Sequence, residues 1–155
     1  MSVQTPNQFA QSVTKGQVDA RHLGGSALPV EVDASQATPL VPGQCVKIVD
    51  SAGGVPKVVA SAAATDDVLG VVAYDLRRPT LAAGQDLEIL TDGAVVYMEA
   101  SGAIARGARV MEVIAGSKVA PVSTGNMTIG RALDKAAAAG DLIRVRLMLT
   151  GILAP

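Results

Sequence analysis

Gly84 to Val110 reads GQDLEILTDGAVVYMEASGAIARGARV, and its 27 residues hold no histidine, no cysteine and no paired nucleophile and base. Leu87 and Ile89 alternate with Asp86 and Glu88, Asp92-Gly93 turns the chain, and Val95 and Tyr97 alternate with Val96 and Met98. Period-two alternation sends successive side chains to opposite faces of a strand. An Asp-Gly pair between two such runs predicts a β-hairpin, because the two-residue turn needs positive φ, which Gly adopts freely and Asp tolerates.

The same texture continues on both sides. After Leu28 come QCVKIV, VPKVVA, VLGVVAYDL, ARVMEV, KVAPV, TIGRAL and DLIRVRLML, each short and punctuated by glycine. Strands at this spacing, with turn signals between them, predict an all-β fold, a small β-barrel or β-sandwich. SAGGVPK and STGN read as hairpin turns. The one helical candidate is DKAAAAG, where alanines favour helix and Gly140 is a natural stop. About two turns cannot stand alone, so at most a short helical turn is expected near 134–140.

Four runs open alike, at Gly43, Gly84, Gly107 and Gly140: Gly, two residues, then alternating apolar positions. Pairing Gly43 with Gly107, Gly54 with Gly116, Gly70 with Gly130 and Gly84 with Gly140 gives offsets of 64, 62, 60 and 56. The order is the same in both halves, which suggests an internal pseudo-repeat of two similar β units.

A chain of 155 residues fits one domain able to bury roughly 70% of its unfolded surface. Apolar residues make up 49% of it, yet one Phe, two Tyr and no Trp leave the core to short aliphatic side chains. With 13 basic and 14 acidic residues spread along the sequence, no field draws in nucleic acid by counterion release. Cys45 is the sole cysteine, so no intramolecular disulfide forms, and its place in GQCVKIV suits a small buried hydrophobe. No apolar run reaches membrane-spanning length and MSVQTPNQFAQ lacks a signal-peptide pattern, so synthesis in the cytosol and no membrane partner are expected.

Catalytic candidates are few. His22 is the only histidine, which rules out a histidine-rich metal site and leaves any triad to depend on that one residue. Asp66-Asp67 reads as a turn before a strand rather than as two carboxylates facing across a cleft. No glycine cluster matches a phosphate-binding loop. Arg77-Arg78-Pro79 is a basic pair in a solvated loop or an inter-subunit ion-pair site, with Pro79 ending the preceding strand. No catalytic, cofactor or metal site is expected, and the chain does not read as an enzyme.

From Met1 to about Ala27 the sequence is polar and glycine-containing, an extended N-terminal arm (1–27) ahead of a single β domain (28–155). Such an arm is either a disordered terminus or a segment that orders on a partner by strand addition.

PGQCVKIV, ATDDVLGVV, AAGQDLEILTDGAVVYMEASGAIARGARV and IGRALDKAAAAGDLIRVRLM, in that order, resemble the capsid cement or head decoration proteins of tailed bacteriophages. The likeness runs from about Pro42 to Met148 and adds little at the arm. It implies a non-enzymatic virion protein on the outer surface of the capsid, a dimer or trimer that binds the major capsid protein and braces neighbouring subunits. On that reading the arm supplies the contacts, with Val3, Phe9, Val13, Val18, Arg21 and His22 as the expected residues. The alternatives are a tail or baseplate β protein, or a carbohydrate-binding β module, the latter poorly served by Phe9, Tyr74 and Tyr97 as the only aromatics.

Overall fold

The computed structural model describes residues 13–19, 26–49, 54–113, 117–149, 151 and 154. Among them are ten strands and no helix, as the alternation predicts. β1 (Ala27–Val32), β2 (Cys45–Val49), β3 (Lys57–Ala60), β4 (Gly70–Val72) and β5 (Asp86–Leu90) close a barrel in the order β1-β3-β2-β4-β5. β6 (Val95–Glu99), β7 (Arg109–Val113), β8 (Lys118–Pro121), β9 (Gly130–Ala132) and β10 (Leu142–Leu147) form a sheet in the order β6-β10-β9-β7-β8. A parallel bridge between Ala100 and Val119 draws the two edges of this sheet together.

Moving each strand five places along the chain converts one ring order into the other. The pseudo-repeat is therefore visible in the pairing itself. β1 runs parallel to β3 at Val32 and Val58, and Ala100 meets Val119 in the same sense. Gly43 N–H donates to Val72 O at 2.8 Å, and Gly107 N–H to Ala132 O at 2.8 Å. Leu40 and Leu81 exchange backbone hydrogen bonds, as do Ile104 and Ala136.

Gly70 and Gly130 show why the matched glycines are needed. A Cβ on Gly70 would lie 2.7 Å from Leu90 O, and one on Gly130 would lie 2.5 Å from Arg146 O. At this point in each unit the backbones of neighbouring strands approach too closely for any side chain.

Val30, Val46, Val58, Val72, Leu87 and Ile89 fill the first barrel. Barrel diameter grows with strand number, so a five-stranded ring has a narrow interior that short aliphatic side chains suffice to fill. The scarcity of aromatic residues follows from that geometry. The second core, built on Val96, Met98, Val110, Ile143 and Val145, also takes in Cys45, Val68, Val71 and Leu90 from the outer face of the first barrel. One continuous apolar cluster thus spans the joint between the units.

Three local expectations are corrected. Asp92-Gly93 turns the chain, with Ala94 N–H donating to Thr91 O at 3.2 Å and Gly93 at φ 86°, but β5 and β6 do not pair. β5 lies between β1 and β4, and β6 pairs with β10. Both edges of β5 are taken by its own barrel, so the turn passes the chain to the next one. Likewise Ser123–Asn126 is a turn but not a hairpin, because β8 pairs with β7 while β9 lies between β7 and β10. Finally, 134–140 is not helical: Ala136 bridges Ile104 in extended form, and Asp141 caps the following turn by accepting from Ala137 and Ala138 N–H. Burying Ala136 in the second core outweighs the helix preference of a run too short to hold it.

Candidate functional site

Val3, Phe9, Arg21 and His22 lie outside the described residues. Val13 is 38% exposed, while Val18 packs half-buried against the second core and bridges Val96. The structure therefore does not bring the two described candidates together on one surface.

Residues 14–19 instead form a strap across both units. Gly16 N–H donates to Tyr97 O at 2.8 Å, Tyr97 N–H to Gln17 O at 2.9 Å and Asp19 N–H to Val95 O at 3.0 Å, covering the open edge of β6. On the other side Tyr74 N–H donates to Gly16 O at 3.0 Å. Gly16 adopts φ +76°, and a Cβ there would meet Gly43 N at 2.6 Å and Val72 O at 2.7 Å. Only glycine lets the strap sit this close to the first barrel.

Ion pairs fasten it further. Arg144 on β10 reaches Asp19 at 3.1 Å and Asp134 at 2.6 Å, and its hydrogen bond holds the Asp134 carboxyl below its usual range. Lys15 and Lys118 both approach Glu99, at 3.3 and 2.7 Å. The Lys118 hydrogen bond is the main cause of a lowered Glu99 pKa.

A second polar cluster sits at the joint. Asp66 accepts from Ala62 N–H at 2.8 Å, Ala63 N–H at 3.0 Å, Lys47 Nζ at 3.0 Å and Ser61 Oγ–H at 3.2 Å. Burial pushes its pKa up, but these donors prevail and bring it down to about 2. This is the turn role expected of Asp66. Ser61 also hydrogen-bonds Glu112 on β7, a residue 1% exposed whose Oε2 has no partner among the described residues. Burial raises the Glu112 pKa to about 7, against the Ser61 hydrogen bond and with the Asp66 charge adding to the rise. In ARVMEV Glu112 shares the inward face of Val110, and only its charged side chain makes it read as a solvent-facing residue.

Beyond the strap contact at Tyr74, Tyr74–Pro79 makes an exposed loop with Leu76 86% exposed. Arg78 pairs with Asp75 at 2.9 Å and donates to Asp86 O at 2.7 Å. The stretch from Ala73 to Gly84 is four residues longer than its counterpart from Leu133 to Gly140, and this loop carries the difference.

Among the described residues no group of His, Cys, Asp and Glu could hold a metal ion, and no helix is long and apolar enough to cross a membrane. Buried clusters that tie elements together, and an exposed loop, suit contact between macromolecules.

Comparison with known families agrees with that character. The family model described as XM1 gp53 minor capsid protein matches residues 6–147. The chain belongs to the XM1 gp53 minor capsid protein family. Membership places it among bacteriophage capsid-associated structural proteins, in line with the resemblance read from the sequence. No curated protein sequence matches it. Among solved structures, the N base of head fiber gp8.5 of bacteriophage phi29 is similar, with a TM-score of 0.55 at 12% identity, over 80% of this chain and 94% of that one. At that identity the likeness concerns the fold.

Proposed function

We propose that this minor capsid protein attaches to the outer surface of the phage head and braces neighbouring major capsid subunits, acting by occupancy rather than by turnover. The family match across residues 6–147 is the observation that carries the reading. Physical features support it: a closed barrel and a second five-stranded unit share one apolar cluster, and the strap ties residues 14–19 to both. On this reading residues 1–12, with Val3 and Phe9 among them, lie along a capsid subunit and add a strand to an exposed edge. Assembly as a dimer or trimer would multiply weak individual contacts into durable attachment.

Co-sedimentation tests this. Purified protein is mixed with expanded heads that lack it, with unexpanded heads alongside. Saturable binding at a fixed ratio to the major capsid protein is the expected result, and the ratio reports the symmetry of the site. Absence of binding to either form of head would defeat the reading.

A further inference from the structure

The repeat allows each surface position of one barrel to be compared with its counterpart in the other. Cys45 on β2, Val71 on β4 and Leu90 on β5 are neighbours across three strands, through the pairs Cys45 with Val71 and Val71 with Leu90. All three are buried in the joint with the second unit. Their counterparts, by the same offsets of 64, 60 and 56, are Arg109, Arg131 and Arg146. These too are direct cross-strand neighbours, Arg109 opposite Arg131 and Arg131 opposite Arg146.

The three arginines are exposed, and none makes an ion pair or side-chain hydrogen bond among the described residues. Strands lie about 4.8 Å apart, so three cations stand in a row roughly 10 Å long. Like charges directly opposite in a sheet are destabilising, so the ladder works against the fold that carries it. Shallow depressions flank it, one lined by Arg106, Arg131 and Leu133, the other by Asp92, Arg131, Arg146 and Met148. Asp92, which lines the second depression, accepts Leu149 N–H at 2.9 Å.

Among the described residues no carboxylate pairs with these three arginines. Asp19 and Asp134 hold Arg144, Asp66 holds Lys47, Glu31 holds Lys57, and Glu99 holds two lysines. The exposed Asp86 and Glu88 share their depression with Arg77 and Arg78, so they offer no purely acidic patch to a second copy. In the first unit the matching face is covered by protein. The guanidinium fork also suits a carboxylate bidentately.

We infer that Arg109, Arg131 and Arg146 form the docking face of this protein for clustered carboxylates on a capsid subunit. The inference rests on the capsid-attachment reading and adds to it a surface on the second unit, built on β7, β9 and β10.

Arg131→Glu is the decisive variant, because it places a carboxylate between two arginines. Attractive cross-strand pairs replace repulsive ones, so the thermal midpoint of the full-length variant should stay level or rise while attachment falls. In co-sedimentation with nuclease-treated, DNA-free expanded heads at low salt, R131E should bind at least tenfold more weakly than wild type, and wild-type binding should weaken as salt is raised. Wild-type binding unchanged by R131E would overturn the inference and leave the capsid reading standing. Failure of the wild type to bind any heads would remove both. Wild-type binding seen only with DNA-containing heads would assign the face to nucleic acid, and salt-sensitive self-association lost in R131E would assign it to a second copy; either result overturns the inference.

Discussion

Glu112 is the residue whose chemistry is least like that of its neighbours. Ser61 has one hydroxyl proton and two carboxyl neighbours, Asp66 and Glu112, so both contacts are satisfied when Glu112 carries a proton of its own. Its folded pKa is about 7 against an ordinary 4.5, so between those values the native state binds more protons than the unfolded chain. Stability from this group is present in full below pH 4.5 and is lost as pH rises through 7. The shift bounds the loss at about 3 kcal/mol. Urea midpoints should fall between pH 5 and pH 8 for wild type and stay flatter for E112Q; an equal slope in both would refute the assignment. Asp66, lowered to about 2, acts in the separate window below pH 4 and with the opposite sign. A second prediction at this scale concerns the close approaches at Gly70 and Gly130. G70A and G130A should each cost about 1–3 kcal/mol by overpacking against carbonyl oxygens. G102A is the control, since a Cβ there meets nothing within 4 Å and its stability should change by less than about 0.5 kcal/mol. The repeat of these glycines was legible in sequence because a close approach admits only one residue type. The burial of Glu112 was not, because alternation puts it on the face of Val110 but a carboxylate there argues for solvent, and the Ser61 hydroxyl that meets it lies 51 positions away.

Among the elements, the strap decides where the arm begins. Its hold depends on backbone hydrogen bonds to β6 and on Arg144, which neutralises the buried Asp19 from 125 positions away. Removing residues 1–12 should leave the thermal midpoint unchanged, whereas removing 1–19 should lower it, because the edge of β6 and the Gly16 contact with the first barrel are then uncovered. Differential scanning calorimetry of the two truncations separates these outcomes, and equal midpoints would show that the strap contributes nothing. R144M should cost about 2 kcal/mol by removing the guanidinium that pairs with the buried Asp19 and with Asp134. Neither the strap nor the partners of β5 could be read locally. A run such as QDLEIL states that a strand exists and which residues face inward, but its two edges are chemically alike. The choice of β1 and β4 over β6 is made by closure of the barrel, through contacts far apart in sequence.

For the molecule as a whole, the shared apolar cluster makes the two units interdependent. Cys45, Val68, Val71 and Leu90 are outer-surface residues of the first barrel and core residues of the second, so neither unit buries its apolar surface alone. The intact chain should therefore unfold in a single transition with calorimetric and van't Hoff enthalpies equal. A fragment ending at Leu90 should expose those four side chains as a contiguous patch and self-associate. The second unit shows how such a face is kept in water, since the positions matching Val71 and Leu90 carry Arg131 and Arg146. Transplanting that solution, the fragment with V71R and L90R should sediment as a monomer where the unmodified fragment does not. If both fragments remain monomeric, the cluster at the joint is not what binds the halves. If the double variant still aggregates, the barrel depends on the second unit for more than the burial of that patch. The expected result would show that two units of one ring order differ chiefly at one face, sealed with aliphatic side chains in the first and left cationic in the second.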